Sequence, residues 1–138
     1  MTPIVLDASV ILSWCFEADE TGVGDAAFRL LKGRQRWIPS LLPVEISNFF
    51  ARAIEHGKIP HARASQFMSR LRSYGFETDY ETADHALQGT HFLALEQGLS
   101  VYDAVYLELA IRKGAMLATL DLELRRAALS VDVEVVTA

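Results

Sequence analysis

Short apolar, β-rich runs separated by longer segments of helical periodicity set the strongest constraint on how this chain folds. The runs are Ile4–Leu6, Arg36–Ile38, Met116–Thr119 and Val131–Val136. Strands that alternate with helices are typical of an α/β fold, in which helices cover both faces of the sheet. The sequence therefore predicts a three-layer α/β architecture with a central, mostly parallel sheet.

The segments between these runs carry helix start and stop signals. The predicted helices are Ala8–Phe16, Gly24–Lys32, Leu42–His56, Pro60–Ser73, Thr82–Gln97, Tyr102–Lys113 and Leu122–Ala128. Prolines stand at predicted first turns, glycines stand at predicted C-terminal caps, and Ser100-x-x-Asp103 matches a capping box. No repeat, low-complexity tract or long linker divides the chain, so residues 1–138 are predicted to form one domain.

Composition limits the compartment and the class of protein. No apolar stretch approaches the roughly 18 residues of a membrane span, and no basic region precedes the first apolar run as in a secretion signal. The single cysteine, Cys15, fits a reducing compartment and lies in an apolar run, where a small buried side chain is expected rather than a nucleophile. We therefore expect a cytoplasmic protein with no membrane association.

Charge and motifs narrow the chemistry further. The net charge of −5 disfavours non-specific nucleic-acid binding, so a nucleic-acid substrate would need a metal and a local basic patch. Lys58, Arg63, Arg70 and Arg72 form either a solvated face or such a patch. The four histidines lack zinc-site spacing, and the sequence contains no dinucleotide fingerprint, P-loop or nucleophile elbow.

Four acidic residues adjoin or lie within apolar segments spread along the chain: Asp7, Glu45, Asp103 and Asp121. Asp7 and Asp121 are expected at strand ends, and Glu45 and Asp103 in first turns of helices. In a parallel sheet with right-handed crossovers, these positions meet at one edge. Carboxylates drawn towards a core need a balancing charge, and no Lys or Arg adjoins the first three, so the pattern favours a divalent cation with oxygen ligands.

Each acid also has a structural interpretation when taken alone. Asp7 and Asp121 suit N-caps, Glu45 suits a first helical turn, and Asp103 fits the capping box. Four such acids at one edge would, however, repel one another unless a cation were bound. Three neighbours are candidates to support the carboxylates, with capping or surface roles as the alternative: Ser9, Asn48 and Thr119.

Three segments that contain these acids resemble the PIN domain family, most of all the VapC-type toxins of toxin–antitoxin pairs. They are Ile4-Val5-Leu6-Asp7-Ala8-Ser9, Pro43-Val44-Glu45-Ile46-Ser47-Asn48, and the run from Tyr102-Asp103-Ala104 to Ala118-Thr119-Leu120-Asp121. The likeness spans essentially the whole chain. The resemblance implies a PIN-like three-layer fold and an endoribonuclease that depends on Mg²⁺, with Mn²⁺ able to substitute.

Residue by residue, the resemblance assigns metal binding and catalysis to Asp7, Glu45, Asp103 and Asp121. Ser9, Asn48 and Thr119 match its supporting positions. It also implies cleavage of structured RNA of the tRNA or rRNA class, a homodimer, and a cognate antitoxin that silences the toxin. One or two Mg²⁺ ions would supply the hydroxide and the charge neutralisation that phosphodiester hydrolysis requires.

Two other interpretations compete with the nuclease. A phosphoacceptor receiver domain would need an acidic pair after the first strand and a Lys after the last, whereas Asp7 stands alone and Val131–Val136 is followed by Thr137-Ala138. A non-catalytic PIN-like binding module has no need for four mutually repelling acids. The sequence favours the nuclease over both.

Overall fold

The computed structural model describes residues 1–17 and 19–138, which form a four-stranded parallel sheet flanked by helices. The strands are β1 (Ile4–Leu6), β2 (Arg36–Pro39), β3 (Glu77–Asp79) and β4 (Met116–Ala118), in the spatial order β3-β2-β1-β4. The α-helices are α1 (Ala8–Phe16), α2 (Val23–Leu30), α3 (Leu41–Glu55), α4 (His61–Leu71), α5 (Thr82–Ala86), α6 (Gly89–Gln97), α7 (Val101–Lys113) and α8 (Leu122–Ser130). The predicted α/β fold class is confirmed.

The sheet is covered on both faces. Ile4, Val5 and Leu6 of β1 expose no surface at all. Since successive side chains of a strand point to opposite faces, burial of all three requires a layer of helices on each side. Helix α7 packs along β1, β2 and β4, while α3 contacts β2 and α2 contacts β4. These contacts make the three-layer arrangement that the alternation of runs predicts.

The strand order creates a topological switch point between β1 and β4. The chain runs from β1 to β2 and β3 on one side of the sheet, and β4 then joins the other side of β1, with Leu6 paired to Ala118. Ligands of open parallel sheets bind beyond the carboxyl ends of the strands at such a point. Asp7 directly follows β1, and Asp121 lies shortly after β4, so the fold brings both acids to this position.

Several predicted helix ends are present. Gly98 and Gly114 adopt left-handed φ angles of 67° and 59° at the C-terminal ends of α6 and α7, a conformation that glycine reaches without steric cost. At the start of α7, the Ser100 hydroxyl accepts the N–H of Asp103 at 3.1 Å, as the capping box predicts. Among the described residues, no helix combines the length and hydropathy needed to cross a membrane.

Two element predictions are wrong, and one strand has no counterpart among the predictions. Val131–Val136 is not a strand but touches the sheet through one bridge, Val135 to Leu117, because residues 131–132 turn sharply after α8. Strand β3 was not predicted, since Glu-Thr-Asp is short and polar and lies at the sheet edge. The predicted helix Thr82–Gln97 is divided into α5 and α6, since Gln88 has non-helical angles of φ −127° and ψ −105°.

Candidate active site

Asp7 is anchored by hydroxyl groups from both sides of the switch point. Its carboxylate is buried, and Ser9 and Thr119 each donate a hydrogen bond to Oδ2 at 2.7 Å. The same hydroxyls also accept backbone N–H groups after β4: Ser9 Oγ accepts from Leu120, and Thr119 Oγ1 accepts from Asp121, both at 3.0 Å. Ser9 and Thr119 therefore orient Asp7 and join the two strand ends.

Asp121 is the N-cap of α8. Its Oδ1 accepts the N–H groups of Glu123 and Leu124 at 2.9 and 3.0 Å. The capping interpretation is thus correct for Asp121, and it is compatible with the other carboxylate oxygen facing a ligand. Asp7 occupies the equivalent position before α1, but its side chain does not cap that helix. The two aspartates therefore differ in what holds them: backbone amides hold Asp121, whereas side-chain hydroxyls are the main partners of Asp7.

Glu45 is held by a partner that the sequence analysis missed. The hydroxyl of Tyr106, on α7, donates a hydrogen bond to Glu45 Oε1 at 2.5 Å across the gap to α3. Tyr106 is almost completely buried, with 1% of its surface exposed. Its position three residues after Asp103 places both on one face of α7, which is the only sequence signal for this role.

Asp103 and Asn48 complete the set of predicted residues. Asp103 lies in the first turn of α7 and is partly exposed. Asn48 lies one turn after Glu45 on α3, is exposed, and lines a groove together with Glu45. No hydrogen bond joins Asn48 to Glu45, so the structure places it beside the site without a supporting contact.

Three of the four acids have raised pKa values, in part because of the charges of other acids of the set. Burial raises the pKa of Asp7, hydrogen bonds from Thr119 and Ser9 partly offset it, and the charge of Asp121 raises it further. Burial also raises the pKa of Glu45, and the charges of Asp7 and Asp103 raise it further. The pKa of Asp103 is raised by burial and by the charges of Asp121 and Asp7. The fold thus gathers acids that are distant in sequence into one electronegative site.

The donor set suits a hard divalent cation. All four side chains are carboxylates, and within residues 1–17 and 19–138 none of them forms an ion pair with Lys or Arg. In the same ranges, no three His, Cys, Asp or Glu side chains are arranged to hold one ion directly. Mg²⁺ retains several waters and usually binds one or two carboxylates, so water-mediated ligands fit this spacing.

A second acidic cluster at the same edge of the sheet was also missed. Asp79, at the end of β3, is 3% exposed and makes a bidentate pair with Arg112 of α7, at 2.7 and 3.1 Å. Arg112 also binds Glu108 at 2.9 Å and Glu81 at 3.4 Å. Burial alone would raise the pKa of Asp79, but the hydrogen bonds of Arg112 and of the Glu81 N–H hold that pKa below its ordinary value.

Comparison with known proteins identifies the family. A model of the PIN domain matches residues 4–129, and the chain therefore belongs to the PIN domain family. The fold resembles the crystal structure of PAE2754 from Pyrobaculum aerophilum, with a TM-score of 0.67 and 23% sequence identity over 91% of this chain and 84% of that one. A comparison with curated proteins gives no match. The PIN fold is a nuclease fold, and its members generally depend on a divalent metal.

Proposed function

We propose that this PIN domain is a metal-dependent endoribonuclease that acts as the toxin of a toxin–antitoxin pair. The observation that carries the proposal is the convergence of four carboxylates, without a basic partner among the described residues, at the switch point between β1 and β4. A scaffold would gain nothing from this mutual repulsion. A cation-binding catalytic site explains it.

Asp7, Glu45, Asp103 and Asp121 are the residues that would hold Mg²⁺, or Mn²⁺ in its place. The bound ion supplies charge neutralisation at the phosphate and lowers the pKa of a bound water. Ser9 and Thr119 keep Asp7 in one orientation, and the Tyr106 hydroxyl does the same for Glu45. Because these supports are side chains with little freedom to move, the carboxylates are pre-positioned before substrate arrives.

The toxin assignment rests on the resemblance to VapC-type proteins and on the surface. Helices α5 and α6 and the residues around them expose large apolar side chains, including Leu87, Phe92 and Leu95 at 89%, 64% and 69%. Exposed apolar residues in such number favour coverage by another chain. We propose that a second copy and a cognate antitoxin provide that coverage, and that structured RNA of the tRNA or rRNA class is the substrate.

RNA cleavage with and without metal tests the proposed activity. Total RNA is incubated with the protein and Mg²⁺ or EDTA, and the cut ends are mapped. We expect discrete cuts with Mg²⁺ only. Asp7→Asn, Glu45→Gln, Asp103→Asn and Asp121→Asn should each lower the rate more than about 100-fold, since even residues that support a metal ligand are worth about 10–100-fold. Asp25→Asn, which changes an exposed acid of α2, is the control and should cleave normally.

A non-catalytic PIN-like binding module is the alternative. It is favoured by the lack of a direct three-ligand arrangement among the described residues. Uncut RNA with the wild-type protein in Mg²⁺ and in Mn²⁺ would support this alternative. Full activity in Asp7→Asn and Asp103→Asn would instead contradict the proposed metal-dependent nuclease site. The toxin role has a separate test: expression of the wild-type chain should stop bacterial growth, and expression of Asp7→Asn should not.

A further inference from the structure

A groove follows α3 away from the acidic site, and the side chains that line it change from acidic to basic along its length. It has a volume of about 410 Å³. Ala8, the neighbour of Asp7, and Glu45 line its acidic end; Arg52, His56 and Lys58 line the other end. One groove therefore runs from Glu45, one of the four carboxylates, to Arg52 and Lys58, in a chain whose net charge is −5.

We propose that this groove holds a single strand of RNA whose phosphates run from the carboxylates to Arg52 and Lys58. The inference rests on the proposed nuclease function and extends it to the way the substrate is held. A phosphate chain needs cations where the protein is otherwise acidic, and this groove supplies them beside the site. A metal at the acidic end would remove the remaining repulsion.

The length of the groove agrees with a short single-stranded stretch. An α-helix rises 1.5 Å per residue, so Arg52 lies about 10 Å and His56 about 17 Å along α3 from Glu45. Phosphates of a stacked strand follow one another at about 3.4 Å along its axis, so the groove spans about three to five nucleotides. A loop of a structured RNA provides such a stretch.

Phe49 supplies an aromatic surface between the two ends. It lines the groove one turn after Glu45 and is 41% exposed. Its ring packs against Phe16 and Phe50, with centroids 5.6 and 5.7 Å apart, which restricts its movement. Unpaired bases stack on exposed aromatic rings of this kind, whereas the bases of a duplex are already stacked.

The basic residues are available for binding. Among the described residues, Arg52 forms its one ion pair with Glu55, at 3.0 Å, and both side chains are more than half exposed, so the pair contributes little and can be exchanged for a phosphate. Lys58 is exposed, and within the described residues it forms no ion pair. Arg63, by contrast, donates to the backbone of Cys15 and is engaged within the fold.

RNA affinity of charge-matched variants tests the groove. The probe is a fluorescent oligouridine about eight nucleotides long, within the usual site size of single-strand binders. Binding is measured in the Asp7→Asn background, in which cleavage should be more than about 100-fold slower, so the RNA stays intact during the measurement. Arg52→Ala with Lys58→Ala should weaken binding about tenfold at low salt and reduce the slope of log K against log salt by about 1.4, for two lost phosphate contacts. Arg29→Ala with Lys32→Ala removes the same charge from exposed positions at the end of α2 and should change affinity less than about twofold.

A second pair of variants tests stacking. Phe49→Leu keeps an apolar side chain but removes the ring, and should weaken binding about fivefold or more. Phe28→Leu, at a ring of similar exposure on α2, is its control and should bind as before. Melting temperatures verify that all variants fold.

The inference is overturned if both charge pairs lower affinity equally, because the effect would then be general electrostatics. It is also overturned if the double variant Arg52→Ala with Lys58→Ala binds RNA normally. This holds too if that double variant loses binding to an acidic protein partner instead of to RNA. When the wild-type protein still cleaves RNA with Mg²⁺, such a result removes the groove assignment alone. If the wild-type protein neither binds nor cleaves RNA, the proposed function is overturned as well.

Discussion

Asp7 and Asp79 occupy equivalent places in the fold but have opposite electrostatic surroundings. Each stands at the carboxyl end of a parallel strand, and they are 6% and 3% exposed. Arg112 forms a bidentate ion pair with Asp79, and the pKa of Asp79 lies below its ordinary value. Asp7 receives only two hydroxyl donors from side chains, and burial keeps its pKa above the ordinary value.

The difference separates a carboxylate that the chain itself balances from one that we propose to bind a cation. The cation that balances Asp79 is part of the chain, so this ion pair links β3 to α7 without any ion from solution. The charge of Asp7 and its three acidic neighbours is not balanced by a basic side chain of the described residues, so under the proposed function a cation from solution would stabilise the site. Substitutions of the two aspartates should therefore have opposite consequences for folding.

The largest expected effect on folding comes from Asp79→Asn. This change leaves Arg112 without its most buried partner, and breaking such a pair costs about 3 kcal/mol of unfolding free energy. For a chain of this size the melting temperature should fall by about 10 °C. The melting temperature of Asp7→Asn, measured without metal, should not fall. A similar loss in both variants, by thermal or urea unfolding, would show that the two aspartates are alike.

A slightly smaller effect is expected from metal. Mn²⁺ or Mg²⁺ at about 100 times its dissociation constant should stabilise the wild-type fold by about 2.7 kcal/mol, because only the folded state presents the site. Asp79→Asn should gain the same increment, and Asp7→Asn should gain little. Thermal unfolding with and without metal measures this stabilisation. If millimolar Mn²⁺ leaves the melting temperature of the wild-type protein unchanged, the result counts against the proposed metal site.

Removal of the Tyr106 hydroxyl should affect the site more than the fold. Tyr106→Phe keeps the buried ring but leaves Glu45 without its hydrogen bond, so the rate of RNA cleavage should fall about tenfold, within the range for partners of metal ligands. In the Glu45→Gln background the same change should add little. Tyr74→Phe, in the aromatic cluster around Trp14, is a suitable control. Equal losses in both backgrounds would assign Tyr106 a general packing role.

The smallest effect concerns pH, and its sign differs between the two aspartates. Because the folded-state pKa of Asp79 is lowered, its contribution to stability is present above the unfolded value and is lost as pH falls through the folded pKa. The folded-state pKa of Asp7 is raised, so without metal its ionisation destabilises the fold as pH rises past the unfolded value, near 3.8. Asp7→Asn should therefore match the wild type at low pH and become the more stable protein at pH 7. Unfolding curves across this pH range measure the difference, and a wild type that stays the more stable at pH 7 would contradict the expected sign.

Elements with strong apolar runs or clear helix start and stop signals were predictable from the sequence. Strands β1 and β4 are adjacent, continuous apolar runs in which every residue is buried, and α7 begins at a capping box and ends at Gly114. Strand β3 has no such signal, because an edge strand is stabilised mainly by its pairing with β2. The break between α5 and α6 depends on the backbone at Gln88, which helical periodicity does not reveal.

The sequence by itself determined the α/β class, the PIN resemblance and the four acids, because each of these is a local pattern of apolar runs and charges. Only the tertiary structure decided which acids are balanced. Arg112 lies 33 residues from Asp79, and Tyr106 lies 61 residues from Glu45. Whether a buried carboxylate meets a guanidinium, a hydroxyl or another carboxylate depends on how α7 packs across the sheet, and such long-range packing has no signature in local sequence.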